Sequence, residues 1–163
     1  MSSGPPGGLS AAPLKRAPSR GRRIDYGLLP ELVGYQLRRA QARVFADFTD
    51  VVTDPGVTPG VFGVLVIIDA NPGLSQSALA KAIGIERSTM VAVIDRLQGE
   101  GWVQRNVAAH DRRSYALALT ADGTALLDRL VPKVRRHERR IARALSPEDI
   151  ATLIGILSRI APD

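Results

Sequence analysis

One stretch constrains the fold more than any other. In residues 76–95, Leu79, Ala80, Ile83, Gly84, Ile85, Met90 and Val93 fall at the spacing that two short helices need to cross at a tight turn. Ala80 must be small because the two helices meet there at close range. Gly84 opens the turn, where a positive φ costs glycine little. Ser75 caps the first helix, which is predicted to reach residue 83, and the second covers about 86–98. Gly99 and Gly101 end the second. Taken alone, this pattern also fits an ordinary helical hairpin.

The next residues narrow the choice. Two strand-like runs, 102–107 and 114–120, flank the polar turn Ala108-Ala109-His110-Asp111-Arg112-Arg113. Tyr115, Leu117 and Leu119 alternate with Ala116, Ala118 and Thr120, the period of a strand. Two crossed helices followed at once by a hairpin form one architectural unit, a winged helix-turn-helix. The outward residues Arg87, Ser88, Thr89 and Arg96 suit a helix that faces DNA. Hydroxyls and a helix N-terminus bind phosphate, and arginine reads guanine edges or phosphate. Arg112 and Arg113 at the hairpin tip can enter a minor groove, where the potential is most negative. Asp111 can hold one of them by a charge-assisted hydrogen bond. As an isolated triplet these residues are equally a solvated charged turn.

Long helices flank this lobe. Leu29, Val33, Leu37, Ala40, Val44, Phe48 and Val51 form one apolar stripe, predicting a helix of about 22 residues and about 33 Å. It should end near Asp54-Pro55-Gly56. The rest of so small a chain cannot bury such a helix, so a partner chain is the simplest cover. Thr58-Pro59 opens a second helix, apolar nearly all round and therefore central. After the hairpin, Thr120 caps a helix with Leu126, Leu127, Leu130, Val134, Ile141 and Leu145 in step, which Pro132 should kink or split. Ser146-Pro147-Glu148-Asp149 opens a last helix with Ile150, Leu153, Ile154, Leu157 and Ile160 on its apolar face. The fold class is mainly α with a small β-wing, and the N- and C-terminal helices form a dimerisation region.

Residues 1–23 are rich in Gly, Pro, Ser and Arg and read as a disordered basic arm before a single domain at 24–163. Within that domain the dimerisation helices fall at about 28–53 and 121–161, and the DNA-binding lobe at about 58–120. The arm either reaches a DNA minor groove or is a plain solvated tail. In the first 30 residues Lys15, Arg16, Arg20, Arg22 and Arg23 face Asp25 alone, so the rest carries only +2 of the net +6. A DNA site in the domain must come from clustered charge, not bulk charge.

The stretch Leu79-Ala80-Lys81-Ala82-Ile83-Gly84-Ile85-Glu86-Arg87-Ser88-Thr89, the run Asp95-Arg96-Leu97, Gly101-Trp102-Val103-Gln104-Arg105, and His110-Asp111-Arg112-Arg113 leading to Leu119-Thr120 resemble the MarR (multiple antibiotic resistance regulator) family. The resemblance covers about residues 28–161. It implies a homodimer built from the first and last two helices. It also implies a pseudo-palindromic operator in double-stranded DNA and a repressor released by a small ligand. Carried over, Asp111 and Arg113 are the wing pair, Arg87, Ser88, Thr89 and Arg96 face the major groove or its phosphates, and Arg105 supports the wing. Val91 and Ala92 depart from the polar or basic residues common at those places. They favour contacts to thymine methyls and reading of DNA shape.

The chain has no cysteine, which excludes disulfides, thiolate metal sites and thiol oxidation as a sensing mode. Two isolated histidines, His110 and His137, give little basis for zinc sensing, and His137 reads as part of an exposed helix surface. No metal or cofactor is expected. An organic effector remains, or none. In similar proteins the pocket lies between the dimer helices and the DNA-binding lobe. Tyr35, Arg38, Arg39, Arg43 and Phe45, with Phe62, are the candidates to line it, and arginines beside aromatics suit an anionic aromatic compound or its coenzyme A thioester. The bland alternative puts these arginines on a solvated face and the aromatics in the core. No nucleophile–base–acid set or glycine-rich phosphate loop points to an enzyme. No secretory signal or membrane span is seen, so a cytoplasmic protein is expected. The competing class is a non-specific architectural DNA binder with no ligand.

Overall fold

The computed structural model describes residues 24–108 and 111–161, and the side chains at 107–115 lie outside that description. The basic arm at 1–23 and the wing-tip side chains of Asp111, Arg112 and Arg113 therefore fall outside the described residues. A 3-10 turn, Leu29–Glu31, precedes six helices and one hairpin: α1 (Val33–Val51), α2 (Pro59–Ala70), α3 (Gln76–Ile83), α4 (Arg87–Gly99), β1 (Val103–Ala108), β2 (Asp111–Leu119), α5 (Ala121–Ile141) and α6 (Pro147–Ile160). The fold is the expected mainly helical one with a two-stranded antiparallel wing. No helix among the described residues is long and apolar enough to cross a membrane.

Local chemistry sets most helix starts. The Thr58 hydroxyl accepts from the Val61 N–H at 3.2 Å, Ser75 from Ala78 at 3.2 Å, and Thr120 from Gly123 at 3.0 Å. Ser146 and Asp149 satisfy each other's backbone N–H in a capping box. Gly84, at φ +76°, closes α3. Its N–H reaches the Lys81 carbonyl and the Ile85 N–H reaches Ala80, so the last carbonyls of the helix are paired as the chain turns into α4.

The core lies in the lobe around α2. Leu65 and Ile68 of α2, Leu79 of α3, Met90, Ile94 and Leu97 of α4, Leu117 of β2 and Leu130 of α5 are all fully buried. Each such side chain contributes about 1.5–3 kcal/mol by leaving water. Where α5 starts, Trp102 crosses so closely that a Cβ on Gly123 would stand 2.0 Å from its carbonyl oxygen.

Four details differ from the sequence reading. The first helix does not run unbroken from residue 28. Pro30 sits in the 3-10 turn, which the Leu32 N–H closes on the Leu29 carbonyl, and Leu32 is extended (ψ 123°), so the α-helix begins only at Val33. Pro132, itself exposed, does not split α5, which runs on to Ile141. α5 stops at Ile141, so Leu145 lies beyond it. The turn of the wing is shorter than six residues: Ala108 pairs with Asp111 after an irregularity at Val107, which places Asp111, Arg112 and Arg113 on strand backbone. The sequence also hid a short third edge. Gly73 donates to the Leu117 carbonyl and Leu117 to Leu74, both at 2.9 Å, and this ties the chain before α3 to β2.

Candidate nucleic-acid interface and effector clefts

The two sides of α4 have opposite characters. Met90, Ile94 and Leu97 anchor it in the core, while Arg87, Ser88, Thr89, Val91, Ala92 and Arg96 are exposed. Hydroxyls cap α2, α3, α5 and α6, but no side chain caps α4, whose N-cap is Glu86. The free N–H groups of its first turn, beside Arg87, Ser88 and Thr89, are therefore open to an anion.

Two of the expected arginines have partners within the chain. Arg105 of β1 donates to Asp95 at 2.5 Å and to Gln98 at 2.6 Å, and this locks the wing onto the end of α4. Arg96 reaches the Gly56 carbonyl at 3.4 Å and borders an apolar cleft of about 430 Å³ with Thr58, Ile83, Ile85, Thr89 and Ala92.

The six expected effector residues are spread over several places. The Arg39 guanidinium lies 5.7 Å from the Tyr35 ring centre, and Tyr26 packs tilted on Tyr35 at 6.5 Å. Arg38 and Phe45 are exposed, and Phe62 packs half-buried against the core. Arg43 borders a cleft of about 420 Å³ between α1 and the end of α5, together with Asp47, Arg140 and Arg143, and is the only one of the six there.

His137 corrects the sequence reading. It is not on an exposed surface but 2% exposed, inside the seam between α1 and α5. Its Nδ1 lies 2.8 Å from Asp47 Oδ2, and its ring meets Phe48 edge-on at 5.5 Å. Asp47 also pairs with Arg140 at 2.9 Å. The hydrogen bond to His137, and then the nearby Arg140 charge, hold the Asp47 carboxyl below its ordinary value against an opposing effect of burial. The signal was present: Leu130, Val134, His137 and Ile141 continue one helical stripe. A second carboxylate anchor, Asp54, pairs with Lys133. No group of three or more potential metal ligands occurs among the described residues.

α6 buries nothing. Leu153, Ile154, Ile156, Leu157 and Ile160 are exposed, as are Ile24, Leu28, Leu29, Leu32 and Val33 before and at the start of α1.

Residues 56–114 match the sequence profile of the MarR family. A putative transcriptional regulatory protein for the hcr operon of Thauera aromatica is 39% identical over 138 residues, 84% of this chain and 83% of that protein. The transcriptional repressor CouR bound to a 23-mer DNA duplex superposes with a TM-score of 0.81 at 42% identity, covering 86% of this chain and 99% of CouR. CouR bound to p-coumaroyl-CoA gives 0.78 at 40% identity with the same coverage. The chain belongs to the MarR family of transcription regulators.

Proposed function

We propose that this chain is a sequence-specific DNA-binding repressor that acts as a homodimer on a pseudo-palindromic operator and is released by an anionic aromatic compound or its coenzyme A thioester. The observation that carries this reading is the two-sided α4, with its core anchors on one side and Arg87, Ser88, Thr89, Val91, Ala92 and Arg96 open on the other. In it, the lobe at 58–120 binds DNA, with Asp111, Arg112 and Arg113 at the wing tip. Arg105 acts from behind, by fixing the wing to α4 through Asp95 and Gln98. The apolar faces of α6 and of the segment leading into α1 meet those of a second copy. The similarity to CouR, with its DNA duplex in one structure and p-coumaroyl-CoA in another, supports both the DNA and the effector parts.

The test is binding of the purified protein to DNA from its own upstream region and to random DNA across a salt series. A regulator binds its operator roughly 10³-fold or more tighter, with affinity falling as salt rises. Equal, weak binding to both DNAs sinks the specific reading and favours an architectural binder. A p-coumaroyl-CoA titration of the operator complex then tests the effector, whose coupling to DNA should be about 1–3 kcal/mol.

A further inference from the structure

The cleft between α1 and the end of α5 has an unusual charge balance. Its lining combines Ala40, Val44, Ile141 and Ala144 with three guanidiniums, Arg43, Arg140 and Arg143, and one carboxylate, Asp47. Asp47 does not neutralise the set. Its Oδ2 is engaged by the buried His137 and its Oδ1 by Arg140. The ion pairs among the described residues include neither Arg43 nor Arg143. Exposed Arg136 and Arg139 on the same helix add to the positive field. Like charges gathered around one concavity attract a counter-ion.

We propose that this cleft binds the phosphate-bearing end of a nucleotide-linked effector, with Arg43, Arg140 and Arg143 as guanidinium ligands and Asp47 as the residue that positions Arg140. The proposal rests on the effector reading above and deepens it, since it assigns the part of the molecule beyond the acyl group. One arginine fork satisfies a lone carboxylate. Three guanidiniums match a ligand with several anionic oxygens. The volume, about 420 Å³, lies within the range of small-molecule sites.

The experiment is calorimetric titration of the full-length protein with coenzyme A, 3′-dephospho-coenzyme A and adenosine 3′,5′-bisphosphate at constant salt. Coenzyme A should bind roughly tenfold or more tighter than its dephospho form, the usual effect of a lost charge-assisted hydrogen bond. Arg43→Ala and Arg143→Ala should remove that preference, Arg143→Lys should keep part of it, and Arg135→Ala, on α5 but outside the cleft, should keep all of it. The preference compares two ligands on one protein, so a misfolded variant, which binds neither, cannot imitate the result. Equal affinity of the wild type for both coenzymes, or a preference that survives both alanine changes, overturns the proposal. Adenosine 3′,5′-bisphosphate binding more weakly than coenzyme A supports a coenzyme-linked effector, and equal binding overturns that link in favour of a free nucleotide. Failure of the effector reading looks different: the thioester and the free aromatic acid leave operator binding unchanged while the coenzyme contrast stands.

Discussion

The lobe around α2 and the helical frame of α1 and α6 use similar apolar side chains to opposite ends. In the lobe, Leu65, Ile68, Leu79, Met90, Ile94 and Leu97 are fully buried within a single chain. In the frame, Ile154 is 60% and Val33 65% exposed, and α6 buries nothing. The core of the lobe is closed within one chain, with Phe48 of α1 and Leu126, Leu127 and Leu130 of α5 completing it, whereas the apolar faces of α6 and of the start of α1 are left for a second copy. Stability of the one is intramolecular, and stability of the other depends on protein concentration.

Four experiments can break or sharpen this contrast. The largest effect is expected from Leu65→Ala, which opens a cavity at the centre of α2 and should cost about 2–5 kcal/mol in urea unfolding. An equally steep loss from an α6 change in a dilute, monomeric sample would erase the distinction. Next comes Ile154→Asp, which should remove about 1.5–3 kcal/mol of burial per protomer from the dimer. Sedimentation velocity should show monomers at concentrations where the wild type pairs, with the helical circular dichroism of the lobe retained. Ser75→Ala removes one cap within the lobe, and the unfolding free energy should fall by about 1 kcal/mol.

The smallest effect concerns acid and the α1–α5 seam. Asp47 titrates lower in the folded chain than its ordinary 3.8. Its stabilisation is therefore complete above that value and is lost as pH falls through the folded pKa. Asp47→Asn should flatten the acid limb of a urea-midpoint series taken between about pH 5 and pH 2. Asp149, also lowered by its Ser146 hydrogen bonds, should still titrate in the variant. An unchanged acid limb would remove Asp47 from the account.

The lobe was more legible than the frame for the same reason. Thr58, Ser75, Gly84 and Thr120 act on backbone groups a few residues away, so their roles follow from spacing. The exposed side of α4 was readable because its buried side was: Met90, Ile94 and Leu97 at the core put Ser88 and Ala92 on the opposite side of the helix. The boundary of α4 differed by one residue, while the wing lost three residues of its expected turn to β2. Strand pairing depends on the partner strand as well as on local alternation. The candidate effector residues were the least legible. Tyr35 and Arg39 meet within one helix turn, but Arg43 borders its cleft only because α5 arrives beside α1.

By itself, then, the sequence determined the order of the helices, their caps, the left-handed turn at Gly84 and the amphipathic character of α4, because each rests on interactions within about one turn of helix. Only the tertiary structure decided that His137 is buried against Asp47, that Arg105 is spent on Asp95 and Gln98, and that residues 73–75 edge the wing. Those outcomes join positions as far as 90 residues apart. A polar side chain is buried when a distant partner arrives to satisfy it, and nothing in its own neighbourhood announces that partner.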